Sequence, residues 1–274
     1  MYTNLIDKST IPQITYSLSK CRKCGHIYFT PKPDRKEVIK LYNNYWPHTI
    51  RNNFLEKVEI FMTKEYRIIL SIPPSKLLDV GCGSGKFIKS LKSRGWLVFG
   101  VDINPIAIRN AKRRGLKKVF CGELPKISFP EKYFDVVLLR HVIEHLHDLD
   151  AYLRRINEIL KDNGLLIIST PNVESDEYKI FRRYWYQLDF PRHLNLFNPM
   201  TIRKLLSRYE FVVESIYTDY RPFFSFSKSL LNVFCHKHSI FRLFDNILIH
   251  MIMFLPFFKI HLNTSIIALA RART

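Results

Sequence analysis

Three glycines alternate with other residues in Leu77-Leu78-Asp79-Val80-Gly81-Cys82-Gly83-Ser84-Gly85-Lys86-Phe87, a spacing that lets the main chain come close to a ligand. A phosphate-wrapping loop needs Gly, four residues, then Gly-Lys and Ser or Thr, because the hydroxyl must reach magnesium. Val80 stands five residues before Gly85 and Phe87 follows Lys86, so that chemistry is excluded. A pyrophosphate loop reads G-x-G-x-x-G, whereas this one is G-x-G-x-G and lacks the third glycine at that spacing. What fits is a nucleoside without phosphates: a helix N-terminus after the loop would favour its carboxylate, and Asp79 would stand near its ammonium. Asp102 could accept from both hydroxyls of a ribose.

Three histidines could remove a proton from an acceptor: His141 and His145 in His141-Val142-Ile143-Glu144-His145, and His193 in Asp189-Phe190-Pro191-Arg192-His193-Leu194. Imidazole suits this task because its ordinary pKa lies near neutrality. His193 is the expected base, with Asp189 and Arg192 as substrate-binding neighbours. The alternative for His193 is to brace its own loop by hydrogen bonding.

These residues must be held by strands and helices. KLLDV, WLVFGVD, KKVFCG, FDVVLLRHV, GLLIIST, FVVESIYT and TSIIALARART read as seven strands. Between them, KFIKSLKSRG is a helix stopped by Gly95, and NPIAIRNAKRRG is one capped by Asn104 with Pro105 at its first position. DLDAYLRRINEILKDNG reads as an amphipathic helix ending at Gly164, and MTIRKLLSRYE as another helix. A helical pattern also runs from about Phe54 to Leu70. Helices of this length between strands imply βαβ crossovers, hence an α/β, doubly wound, Rossmann-like seven-stranded sheet. Residues 1–50 read as an N-terminal extension, irregular over 1–30 until a short β-like run, HIYFT, and with Asp34 at a helix start ahead of RKEVIKLY; 51–220 read as the ligand-binding domain, 221–262 as an apolar, basic helical insertion or lid, and 263–274 as the final strand. The long segment PNVESDEYKIFRRYWYQLDFPRHLNLFNP reads as a functional loop.

The formal charge of +19 favours anionic partners without choosing among them. Five scattered cysteines fit reduced thiols better than a disulfide framework. The N-terminus lacks the basic start and apolar run of a secretory signal, so a cytoplasmic location is expected. Residues 221–262 hold nine phenylalanines and one acid, Asp245. Their longest uncharged apolar stretch, NILIHMIMFLPFF, is too short to span a bilayer, so either peripheral membrane contact or a lid or dimer surface is expected there.

Four motifs in order carry a resemblance: LLDVGCGSG, VFGVDINPIAI, FDVVLLRHVIEHLHD, and TPN followed by DFPRHLNLF. The chain resembles class I S-adenosylmethionine-dependent methyltransferases from about Lys76 to Phe211. It is most similar to the subgroup of ubiquinone-pathway O-methyltransferases and glycan or sugar methyltransferases. The resemblance implies S-adenosylmethionine as cofactor, held by Asp79, Gly81, Cys82, Gly83, Gly85, Asp102 and Ile103. It puts Cys121, Gly122, Glu123 and Leu124 against the adenine, and Arg140 beside the cofactor. Ubiquinone-type relatives carry an acid at the place of His141 and use it with the next Glu-His pair to bind a divalent ion. His141, Glu144 and His145 depart from that pattern at the first ligand, and no metal is assigned. Cys21-x-x-Cys24 resembles half a zinc ribbon whose second pair is missing; His26 and His48 would be an improvised completion. The implied activity is O-methylation of a glycan, lipid-linked sugar or other small hydroxylated acceptor. The charge also suggests an RNA methyltransferase, but the D/N-P-P-Y/F/W signature of amino-methylating enzymes is missing after the fourth strand. A non-catalytic cofactor-binding scaffold is the third reading.

Overall fold

Alternation of side chains along each strand gives the main sheet two apolar faces, and each face is covered by its own helices. The computed structural model describes residues 5–6, 15–35, 38, 60–219, 225–226, 228–230, 232–233 and 263–273. In chain order the strands are β1 (Leu5–Ile6), β2 (Thr15–Lys20), β3 (Ile27–Thr30), β4 (Lys76–Val80), β5 (Leu97–Asp102), β6 (Val119–Cys121), β7 (Phe134–Arg140), β8 (Leu160–Pro171), β9 (Asn195–Leu196), β10 (Phe211–Asp219) and β11 (Ser265–Ala272). The helices are α1 (Lys64–Leu70), α2 (Lys86–Lys92), α3 (Pro105–Arg113), α4 (Leu149–Ile159), α5 (Asp176–Phe181) and α6 (Pro199–Ser207).

Seven strands form one sheet in the order β10-β11-β8-β7-β4-β5-β6. Strands β4 to β8 pair in parallel, and β11 runs antiparallel between β8 and β10. This is the expected doubly wound fold. The chain runs outward from β4 through β5 to β6, then crosses back to β7 beside β4. That reversal opens a crevice at the carboxyl ends of β4 and β7.

Leu77, Val98, Val136, Leu138 and Ile167 face a layer containing Tyr66 and Ile69 of α1, Ile88 and Leu91 of α2, and Ile108 and Ala111 of α3. Their neighbours Leu78, Phe99, Val137, Leu139 and Ile168 face the other way, toward Leu153 and Ile156 of α4 and Ile202 and Leu206 of α6. Asn104 caps α3 as expected, its side chain accepting from the Ile106 and Ala107 amides at 2.8 and 3.2 Å.

Three expectations need correction. Helix α4 ends at Ile159, not Gly164, because Leu160 turns extended and pairs with Phe134, so Lys161–Gly164 belongs to the long β8. The N-terminal extension holds more than the expected strand at HIYFT, now β3: β1 and β2 precede it, and with β9 these four form a second sheet, with Tyr28 opposite Asn195. The long segment after β8 is not plain loop, since it holds α5 and short 3-10 turns at Arg182–Tyr184 and Tyr186–Leu188. Most of 221–262, His48 and the helical pattern before Ile60 lie outside the described residues. The described part of the insertion packs Phe226, Leu230 and Val233 against a cluster around Phe181 and Trp185. Among the described residues no helix is long and apolar enough to cross a membrane.

Candidate active site

The turn after β4 is built for close approach. The Gly81 amide donates to the Val101 carbonyl at 2.7 Å, and Gly81 has φ +73°, where a side chain is strained. A Cβ there would lie 2.3 Å from Val142 Cγ2, so the glycine lets the β4 and β7 exits touch. Gly85 serves packing instead: it caps α2, and its Cβ would meet Leu116 Cδ1 at 2.2 Å.

Asp102 closes the next strand. Its carboxylate accepts from the Gly83 amide at 2.8 Å and from the Asn104 amide at 2.8 Å. Burial raises its pKa, and those two amides work against the rise. Asp102 thus ties the glycine loop to the start of α3 and fixes the loop's shape.

A cavity of about 330 Å³ opens above these turns. Its walls are Gly81 and Gly83 from the first turn, Asp102 and Ile103 from the second, Glu123 and Leu124 after β6, and His141, Val142 and His145 after β7. Tyr152 of α4 closes one side, and Arg35 and Val38 reach in from the N-terminal extension. That extension is pinned in place: Lys32 Nζ donates to the His147 carbonyl at 2.6 Å, and Arg35 pairs with Glu123. Sequence reasoning missed Arg35, Val38 and Tyr152. Only the helical spacing of Tyr152 with buried Leu153 and Ile156 hinted that it faces inward.

Five of the expected cofactor residues stand outside the wall, among them Cys121, which is exposed at the end of β6. Gly85 and Cys82 lie behind the loop, and Arg140 lies over the Phe87 ring at 4.0 Å with Glu65 4.0 Å away. Asp79 is buried on the same side, and its Oδ1 has no hydrogen-bond partner. Burial pushes its carboxyl up to about 7, with Arg140 opposing and Asp102 adding to the rise. A carboxyl raised from 3.8 to about 7 by folding supports the fold at low pH, and that contribution is lost as pH rises through 7. Asp79→Asn is therefore expected to stabilise the ligand-free protein by about 1–3 kcal/mol near pH 8 and to change little near pH 4, as thermal melts at both pH values would show.

The histidines divide into two groups. His141 has φ 52°, its amide donating to the Ser169 carbonyl at 2.9 Å, and its ring stands at the cavity wall. Its Nδ1 faces Glu144 Oε1 at 3.4 Å, while Glu144 Oε2 accepts the Thr170 hydroxyl at 3.0 Å. Glu144 is fully buried, which alone would raise its pKa. His141 beside it, with His145 and His193 nearby, more than offsets this and holds it down at about 2.

His193 is buried, not on the cavity wall. Its Nδ1 donates to the Gln187 carbonyl at 2.7 Å, and Nε2 faces Asp189 Oδ2 at 3.5 Å. Its ring meets that of His145 edge-on, centroids 4.5 Å apart. His145 in turn donates from Nδ1 to the Arg192 carbonyl at 2.9 Å, and burial with the neighbouring His193 presses its pKa down to about 4. Asp189 and Arg192 pair with each other at 2.5 Å, away from the cavity wall. The Asp189–Leu194 loop is thus braced against the turn after β7, with the Leu194 amide also donating to the Glu144 carbonyl at 2.8 Å.

Glu144, His145 and His193 each bring one ligand-type atom within 4.8 Å of the others. These types suit a divalent cation. The third member is His193 of the loop, whereas the resemblance points to His141. Near the N-terminus, Cys21 and Cys24 are free thiols, and His26 Nε2 bonds to Asn195 Oδ1 at 3.1 Å.

Residues 54–216, more than half of the chain, match the methyltransferase domain family. The chain is 32% identical over 152 residues to the ubiquinone biosynthesis O-methyltransferase of Pelagibacter ubique, covering 53% of this chain and 61% of that one. It is 28% identical over 167 residues to the malonyl-[acyl-carrier protein] O-methyltransferase of Serratia marcescens, covering 60% and 65%. The chain therefore spans less than two thirds of the length of these curated relatives. A solved methyltransferase from Archaeoglobus fulgidus shares the fold with a TM-score of 0.53 and 21% identity, over 87% of this chain and 100% of that one. With its sheet order, its glycine turn and this match together, the chain belongs to the methyltransferase domain family, in the class I S-adenosylmethionine-dependent group.

Proposed function

We propose that the chain transfers a methyl group from S-adenosylmethionine to an oxygen of a glycan, a lipid-linked sugar or another small hydroxylated acceptor. The observation that carries this reading is His141 at the wall of the cavity that Gly81 and Asp102 also line, with the buried Glu144 carboxylate facing its ring. The donor set fits the cofactor: a glycine turn that a Cβ would block, a carboxylate at the end of β5, and a second acid, Glu123, after β6. Gly81, Gly83, Asp102, Ile103, Glu123 and Leu124 would hold it, with Tyr152 alongside. Asp79, Cys82, Gly85 and Arg140 would support that wall from behind, Asp79 through the loop it underlies.

When bound, S-adenosylmethionine supplies a methyl group on a sulfonium, which a nucleophile takes in one in-line displacement. The chain's own task is to align the acceptor and remove its hydroxyl proton. His141 is placed for this: Glu144, ionised, faces Nδ1, which directs the opposite nitrogen, Nε2, away from that carboxylate. His193 takes the role of a loop brace, with Asp189 and Arg192 shaping the same loop. The names of both relatives specify O-methylation, which supports oxygen as the accepting atom.

The test is transfer of labelled methyl from S-adenosylmethionine to lipid-linked glycans, nucleotide sugars, quinone precursors and RNA. Label in a glycan or sugar is the expected result. Label in RNA alone would replace the acceptor class, and label in none of the four, with the cofactor still bound, would favour a non-catalytic scaffold.

A further inference from the structure

The two helical layers carry very different charge. Between Lys64 and Lys118, which covers α1 to α3, there are thirteen lysines and arginines and three acids. None of the three acids offsets the outer surface: Glu65 and Asp79 are buried, and Asp102 lies at the cavity. From Phe120 to Asp219, which covers α4 to α6, thirteen lysines and arginines meet fifteen acids. That layer carries internal ion pairs, such as Arg154 with Asp150 and Arg155 with Glu158.

The excess is exposed and gathered on one side. Lys89 and Lys92 of α2 and Arg109, Lys112 and Arg113 of α3 are exposed, while Ile88, Leu91, Ile108 and Ala111 turn inward to the sheet. Arg94 and Lys117 extend the face past both helix ends. The two ends adjoin, since Lys92 Nζ donates to the Gly115 carbonyl at 3.0 Å. None of these seven side chains has a carboxylate partner within ion-pair distance among the described residues. A cationic face without counter-charges has an electrostatic cost that an anionic partner relieves.

The edge of the same layer carries apolar side chains. Phe61 is 45% exposed and Met62 is 72% exposed, just before α1. Arg94 lies over the Phe61 ring at 5.3 Å, which joins this apolar pair to the cationic face. A cationic plane with a bare aromatic and a bare methionine at its rim matches an anionic bilayer surface, where lipid phosphates meet the cations and the apolar pair enters the interface. An RNA backbone would match the charge and leave Met62 in water.

We propose that the outer face of α1–α3, rimmed by Phe61 and Met62, docks on an anionic lipid surface. The described residues of the 221–262 segment pack elsewhere, around Phe181 and Trp185. The test is co-sedimentation of the full chain with phosphatidylcholine vesicles, with and without phosphatidylglycerol. The chain is expected to bind only the anionic vesicles and to release at high salt. The quadruple reversal K89E/K92E/K112E/R113E is expected to weaken that binding at least about tenfold. R203E/K204E on α6 is expected to leave it unchanged. Phe61→Ser/Met62→Ser is expected to weaken vesicle binding without altering its salt dependence, and it serves if the quadruple variant fails to fold, as judged by S-adenosylhomocysteine binding. The proposal is overturned if the wild type stays in the supernatant with anionic vesicles. It is also overturned if reversal on α2 and α3 has no more effect than reversal on α6, or if these cations bind an RNA oligonucleotide and no vesicle.

Discussion

His141→Ala is expected to lower methyl transfer about 10²–10⁴-fold while S-adenosylhomocysteine binds nearly as to the wild type. The size follows from the geometry. His141 leaves β7 in a left-handed conformation at φ 52°, secured by the Ser169 carbonyl, so its ring is set at the cavity wall by the backbone. The Glu144 carboxylate then faces one ring nitrogen from a fully buried position. Glu144→Gln keeps an acceptor for the Thr170 hydroxyl but removes the charge facing His141, and an intermediate loss of turnover is expected. Steady-state rates at saturating donor, with cofactor affinity measured separately, check both. The same assay on His193→Ala distinguishes the two histidines. His193 has one nitrogen on the Gln187 carbonyl and the other facing Asp189, so its removal should cost stability first. A fall in turnover as deep as that of His141→Ala, in protein that remains folded, would return the base to the loop.

The second large effect falls on cofactor affinity. Asp102→Ala is expected to weaken S-adenosylhomocysteine binding about 100-fold, and Asp102→Asn about tenfold. Two losses combine in the alanine variant. The ribose hydroxyls lose their proposed charged acceptor, and the Gly83 and Asn104 amides lose the carboxylate that shapes the loop. The asparagine retains one acceptor oxygen, enough for one of the two amides.

Much of this site is readable in the linear chain because its parts are local. The alternation of KLLDV and LVFGVD sets which residues face each layer, the glycines after Val80 mark the turn, and Asn104-Pro105 marks the start of α3. What stayed hidden depends on contacts between residues far apart in sequence. Strand β9 is two residues long, and it exists because Leu196 pairs with Ile27 and Asn195 bonds to His26, 169 residues away. No local pattern encodes such a pairing. His141 and His193 are the same residue type in equally suggestive motifs; only the fold shows that one meets the cavity and the other is buried beneath its loop. The end of α4 was misread for a local reason. Gly164 reads as the stop of a helix that runs through Lys161-Asp162-Asn163, yet pairing of Leu160 with Phe134 draws the segment into β8.

The central claim is that the crevice between the ends of β4 and β7 is a methyl-donor site anchored by Asp102. Calorimetric titration of S-adenosylhomocysteine into the wild type and Asp102→Ala tests it most directly. Saturable one-to-one binding that weakens about 100-fold in the variant is the predicted result. No binding to the folded wild type, or equal binding to both proteins, would contradict it.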